Sequence, residues 1–287
     1  MRMLIAALVA SCMLALVGCV RTIAVSTVGG IIDDGFEAFT EESDLMFAQQ
    51  ALPANLKLLE VMLKSDPSNA RLLRLISEGY SSYALAYLED TEPARAREFY
   101  RRGRDYAMRI LREDREFARA LDGTLEDLQG VLATRGKSDV PAAFWAAFGW
   151  GSAIYLDLTS PDAIADLPRA EALMAFVARQ DSGYYFGGAD VFLGTLYGSK
   201  PRMLGGDPVK ARAHFERALR INRGEFLMTY VYYARSVAVQ TQDEALFDGL
   251  LAKVNQASPD ILPGARLANQ VARKKAESLL NRKQDIF

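Results

Sequence analysis

Histidine and cysteine are nearly missing from this 287-residue chain, which holds one His and two Cys. With His214 as the single imidazole, a His-clustered metal site or a His-assisted nucleophile lacks its material. An excess of positive charge is missing too: 34 Lys and Arg stand against 36 Asp and Glu, a net charge of −2. Nucleic-acid binders usually carry a basic excess that meets the phosphate charge, so no nucleic-acid partner is expected. No run alternates convincingly with period two, which argues against sheets. The remainder is ordinary for a folded protein, 50% apolar and 24% charged residues, which excludes global disorder and provides for a sizeable core. No metal, cofactor or catalytic residue is expected from this inventory.

The opening residues read as an address. Met1-Arg2 is a short basic start, and the stretch from Met3 to Val17 is almost wholly apolar, broken by Ser11. It is too short for a comfortable membrane span and fits the apolar core of a secretory signal, residues 1–18. Leu16-Val17-Gly18-Cys19 has the pattern of a bacterial lipobox, in which small Gly18 fits the cleavage pocket and the Cys19 thiol takes the diacylglycerol. Each buried CH₂ of an acyl chain contributes about 0.8 kcal/mol, so two or three chains hold a protein at a membrane. Processing would remove Cys12 and cap Cys19, leaving no thiol for a disulfide or a nucleophile. Val20 rather than Asp follows the lipidated Cys, which favours the outer membrane, with the domain in the periplasm. Residues 19–35 are then a tether and residues 36–287 a single helical domain.

From Phe36 onward the spacing is helical. Leu56, Leu59, Leu63 and then Leu72, Leu73, Ile76, Tyr80, Tyr83, Tyr87 follow steps of three, four and seven, one face of a helix. Asp66-Pro67-Ser68-Asn69, Glu92-Pro93, Val140-Pro141, Ser160-Pro161, Gly205-Gly206-Asp207-Pro208 and Ser258-Pro259 punctuate the chain, with Pro suited to first helical turns and Asp or Ser to N-caps. Ala211, Phe215, Ala218, Leu219 and Asn222 look like the second helix of a tetratricopeptide (TPR)-type pair, with Leu193, Gly194 and Tyr197 on the first. Weaker copies run through Ile76, Ser77, Tyr80 with Ala96, Tyr100, Gly103, then Phe148, Gly149, Ser152 with Ala170, Met174, Val177, and then Tyr232, Ala234 with Ala245, Gly249, Ala252. The expectation is an all-α domain of TPR-like hairpins, stacked because no single pair can bury its apolar face.

Three segments together carry a family resemblance: Ala51-Leu52-Pro53 through Asn69, Val140-Pro141-Ala142-Ala143-Phe144-Trp145 through Gly151, and Gly187-Gly188-Ala189-Asp190 through Lys200-Pro201-Arg202-Met203-Leu204-Gly205-Gly206-Asp207-Pro208 into the helix ending at Leu219. This pattern resembles the TatT-type T-component lipoprotein family of TRAP transporters, over roughly Glu41 to Ala257, with little added beyond Ser258. The resemblance implies a periplasmic superhelical fold with a hydrophobic cavity or pore. It also implies association with a periplasmic solute-binding protein of the transporter, and a homo-oligomer, with a trimer among the states it allows.

Aromatic residues cluster at helical spacing, and most of these stretches read as first helices, which tend to line the inner surface of hairpin stacks. Tyr80, Tyr83, Tyr87, Phe144, Trp145, Phe148, Tyr184 and Tyr185 are therefore the candidate ligand-binding residues, for a hydrophobic small-molecule ligand such as an amphipathic organic acid. The same rings also suit packing between hairpins, and spacing does not separate the two roles ring by ring. Gly194 to Lys200 lacks the residue count and preceding strand of a phosphate loop, and the two glycines suit close helix packing. Residues 200–206 are a candidate rim loop. Arg95 to Arg115 interleaves acidic residues and reads as a solvated helix surface, and His214 as a partly exposed helix residue. An accessory part of a periplasmic uptake system is the leading function. The alternative is an outer-membrane scaffold lipoprotein for envelope assembly, and a wall-cutting enzyme would need a second, lysozyme-like domain that the sequence does not display.

Overall fold

Asp44 begins the first long helix by accepting the backbone N–H groups of Met46 and Phe47 at 2.8 and 3.0 Å, two donors that a helix start leaves without an internal partner. The structure, a computed structural model, describes residues 35–200 and 205–287. The expected signal segment, Cys19 with the tether up to residue 34, and residues 201–204 of the expected rim loop lie outside the described residues. Residues 35–40 are helical. After them come α1 (Leu45–Ser65), α2 (Ala70–Tyr83), α3 (Pro93–Arg112), the short α4 (Arg115–Asp122) and α5 (Leu125–Thr134), and α6 (Val140–Tyr155). The chain continues through α7 (Pro161–Ala165), α8 (Leu167–Gln180), α9 (Gly188–Gly198), α10 (Pro208–Ile221), α11 (Met228–Tyr233), α12 (Glu244–Gln256), α13 (Arg266–Asn281) and α14 (Lys283–Ile286). Among the described residues there is no strand, and no helix is long and apolar enough to cross a membrane.

The punctuation acts largely as its chemistry dictates. Ser160 and Asp207 cap α7 and α10, each with Pro in the following turn. In the Asp66–Asn69 turn, Asn69 is the cap and accepts from Leu72.

The helices pack in pairs close in the chain: α2 with α3, α6 with α8, α9 with α10, and α11 with α12. Successive pairs stack, α3 against α6 and α8 against α9. The chain is all-α, and its pairing is compatible with TPR-like hairpins. Gly149 shows how close the α3–α6 contact is: a Cβ there would lie 2.6 Å from the Tyr100 carbonyl oxygen, where backbone cannot step aside. Three adjoining apolar clusters form the core, centred on Trp145 and Phe176, on Phe215 and Phe247, and on Leu73 and Tyr100.

Two features depart from the expected pattern. Both α2 and α11 run on into a π-helical turn, Ala84–Leu88 and Ala234–Ala238, which admits an extra residue and re-aims the side chains that follow. His214, expected to be partly exposed, is buried, and its Nδ1 lies 2.7 Å from Oδ1 of the fully buried Asp190. Asp190 sits in the first turn of α9, where the helix dipole favours an anion. This Asp–His contact joins α9 to α10.

Candidate functional site

The first helices of the pairs turn one face each toward a common cavity of about 200 Å³. From α2 and its π-turn come Glu78, Gly79, Ser82, Leu85, Ala86, Tyr87 and, just beyond, Glu89. The stripe from α6 runs Phe144, Trp145, Phe148, Gly151, Ser152, Tyr155, and that from α9 runs Gly188, Val191, Phe192, Thr195, Leu196. Met228, Tyr232 and Arg235 complete the wall from the α11 side, and Leu267, Ala268 and Val271 of α13 from another. Steps of three, four and seven keep each set on one helix face. The second helices stay outside, apart from Leu167 at the start of α8. Phe36, Phe39 and Thr40 of the helical segment before α1 also touch the cavity.

Of the eight candidate ligand-binding rings, Tyr87, Phe144, Trp145, Phe148 and Tyr185 lie in this wall. Phe144 and Trp145 meet edge to face at 5.0 Å, and Tyr185 meets Trp145 in the same way at 4.9 Å. Tyr80, Tyr83 and Tyr184 lie elsewhere. Tyr80 turns outward, donates its hydroxyl to Glu60 Oε1 at 2.6 Å and stacks on Tyr106 of α3. Tyr83 stacks on Phe99, and Tyr184 packs on Phe144 at the margin of the wall. The physical reason is the width of the apolar face on α2: one side looks into the cavity, and the other is covered by α1 and α3.

Tyr184 to Phe186 are not on a first helix as expected. They form a short turn before α9 in which Tyr185, Phe186 and Gly187 have φ of 47°, 59° and 80°. Left-handed backbone costs an L-residue roughly 1–2 kcal/mol, and here the neighbours hold it. The Asn222 side chain at the end of α10 donates to the Phe186 carbonyl at 3.0 Å, and the Phe186 ring stacks on Phe226 at 5.1 Å. The outcome is two adjacent aromatic side chains placed in the wall by strained backbone, a feature common at functional sites.

The charged groups in the wall are Glu78, Glu89, Arg235 and Lys200, the two carboxylates toward opposite ends of the stripe from α2 and its π-turn. Glu78 is buried, which raises its carboxyl, and Arg74 at 3.2 Å offsets part of that, leaving it at about 7. At the other end, burial would also raise Glu89, but Arg235 and Lys275 and the Tyr100 hydroxyl outweigh burial and hold it at about 2. Arg235 Nη1 lies 2.7 Å from Glu89 Oε1, and the Tyr100 hydroxyl donates to Oε2 at 2.6 Å. Lys275 of α13 lies 2.5 Å from Asp90 and 3.9 Å from Glu89. Burial raises the Tyr87, Tyr185 and Tyr232 phenols far above the usual range and keeps them neutral. The Tyr87 hydroxyl is buried with no hydrogen-bond partner among the described residues, at a cost of about 1–3 kcal/mol. Among the described residues, no group of three or more His, Cys, Asp or Glu is arranged to hold a metal ion.

Sequence reasoning did not single out Arg235, Glu89 or the α13 wall. A signal for Arg235 was present, since it is the one charged residue between Glu225 and Asp243. Its pairing with Glu89, 146 residues earlier, had none.

The model of the family described as TRAP transporter T-component matches residues 41–287. The match therefore reaches past the expected limit near Ala257 and includes α13, which closes one side of the cavity. A protein of Treponema pallidum (strain Nichols), described as an uncharacterized protein, is 28% identical over 271 residues, covering 88% of this chain and 84% of that one. With its match running from α1 through α14, the chain belongs to the TRAP transporter T-component family.

Proposed function

We propose that this T-component is a periplasmic lipoprotein, anchored through Cys19 to the outer membrane, which holds a hydrophobic or amphipathic small organic acid and associates with the periplasmic substrate-binding subunit of a TRAP-type uptake system. The observation that carries the reading is the cavity, an apolar space walled by the inner faces of α2, α6, α9 and α11. Ligand pockets share this character, a mostly apolar lining with a few placed polar groups. Family membership supplies the transport context, an accessory role in a TRAP system. Neighbouring copies of the chain are the proposed further partners, as a homo-oligomer.

The test is crosslinking of the anchored protein in cells of its own source, followed by mass spectrometry of what it holds. Recovery of a periplasmic solute-binding protein is the expected result. Recovery of envelope-assembly proteins alone would overturn the reading in favour of a scaffold.

A further inference from the structure

The buried charge beside the cavity is not balanced. Glu89, Lys275 and Arg235 have side chains 6%, 8% and 21% exposed, whereas Asp90, the partner of Lys275, is 51% exposed. One carboxylate therefore faces two cations away from solvent, and the second carboxylate is screened by water. Glu89 also draws on Tyr100 and Lys275, so it does not need the whole guanidinium. Arg235 gives only Nη1 to it, out of five N–H donors. No other Arg235 hydrogen bond exists among the described residues, and none of its nitrogens is among the atoms buried without a partner. Its remaining donors thus face open space at the cavity wall. The ring centroids of Tyr155 and Tyr232 lie 5.3 and 4.8 Å from the guanidinium carbon, within cation–π range, and restrict its movement. A held, planar fork with spare parallel donors suits a carboxylate better than a point charge does.

The remaining wall suits a hydrocarbon. Along α2 and its π-turn, Glu78 and Glu89 stand eleven residues apart, about 16 Å if the whole stretch had the α-helical rise. The stripe between them presents Gly79, Ser82, Leu85 and Ala86, opposite the rings of α6.

We infer that Arg235 is the anchor for an anionic headgroup, so that the cavity takes an amphipathic carboxylate whose head docks on Arg235 between Tyr155 and Tyr232 and whose tail runs toward Trp145. The inference rests on the proposed ligand-binding role of the cavity and specifies its chemistry. The pairing of Arg235 with Glu89 is then shared, with Lys275 and Tyr100 keeping Glu89 satisfied as the ligand takes the spare donors.

The test is isothermal titration of the full chain with dodecanoate and dodecanol at monomeric concentrations. Dodecanoate is expected to bind at least about tenfold more tightly than the alcohol. Arg235→Lys, which keeps the charge and loses the fork, should lose most of that preference. Removing both partners, as Glu89→Gln with Arg235→Gln, leaves neither as a lone buried charge and should bring dodecanoate to the affinity that the same variant has for dodecanol. Equal binding of acid and alcohol to the unaltered chain would overturn the anchor while leaving the apolar cavity role intact. So would a preference for the acid that survives in either variant. Binding of neither probe would overturn the ligand-binding role and the anchor with it.

Discussion

Glu78 shows at the residue scale how burial sets a pH response. Its carboxyl stands at about 7 in the folded chain against an ordinary 4.5, so the folded state holds the proton more tightly than the unfolded state does. The contribution of this group is therefore complete below about 4.5 and is lost as pH rises toward about 7, roughly 3 kcal/mol in all. Glu89 has the opposite sign: held at about 2, it contributes above about 4.5 and loses that as pH falls toward 2. Urea unfolding at pH 5 and pH 8 should show the unaltered chain losing stability across that interval, and Glu78→Gln losing distinctly less. An identical pH dependence in both would mean that Glu78 is solvated. The neighbouring Arg74 accounts for the shift being no larger.

At the scale of an element, the turn before α9 decides which rings reach the cavity. With φ of 59° at Phe186, glycine fits the backbone and alanine does not. Both Phe186→Ala and Phe186→Gly remove the stack on Phe226, a loss of about 3–5 kcal/mol where a ring is well packed. The glycine variant should nevertheless be the more stable of the two by about 1 kcal/mol, the reverse of their order in a helix. Paired denaturation curves measure the difference directly, and an alanine variant that is the more stable would remove the strain argument. The π-turns belong to this scale as well. Leu85 and Arg235 occupy the second position of Ala84–Leu88 and of Ala234–Ala238, so one local geometry puts an apolar group into the wall from α2 and a cation from α11.

The whole molecule closes on itself. Glu89 and Asp90, beyond α2, meet Arg235 and Lys275 from the far end of the chain, and Arg266 donates to the Glu41 carbonyl at 2.9 Å. The stack is thereby bent until its first and last parts touch, and α13 supplies a wall that an open row of hairpins would lack. A chain ended after Ala257 should keep most of its helical circular dichroism yet expose the cavity and the core contacts of Val271, Ala272 and Ala276. The expected readout is a strong rise in fluorescence of an apolar-surface dye, with a lower melting temperature. Unchanged dye binding would mean that α13 is not needed to enclose the cavity.

Periodicity was sufficient to reveal the helices and their apolar faces, because a 3.6-residue repeat is a local property and the apolar stripe needs no distant partner. Phe144, Trp145 and Phe148 were legible as one helix face for that reason, and the tertiary structure turns that face to the cavity. Tyr80 and Tyr83 carry the same periodic signal as Tyr87, and only the placement of α1 and α3 decides that they are covered from outside. The left-handed turn at Tyr185 and Phe186, the π-turns and the burial of His214 against Asp190 likewise depend on neighbours remote in the chain. The cavity's charged end is the clearest case. Arg235 stands out locally as a lone charge in an apolar stretch and Glu89 does not, and their chemistry arises when closure of the stack removes water from between them, since burial is what turns two ordinary charges into a site.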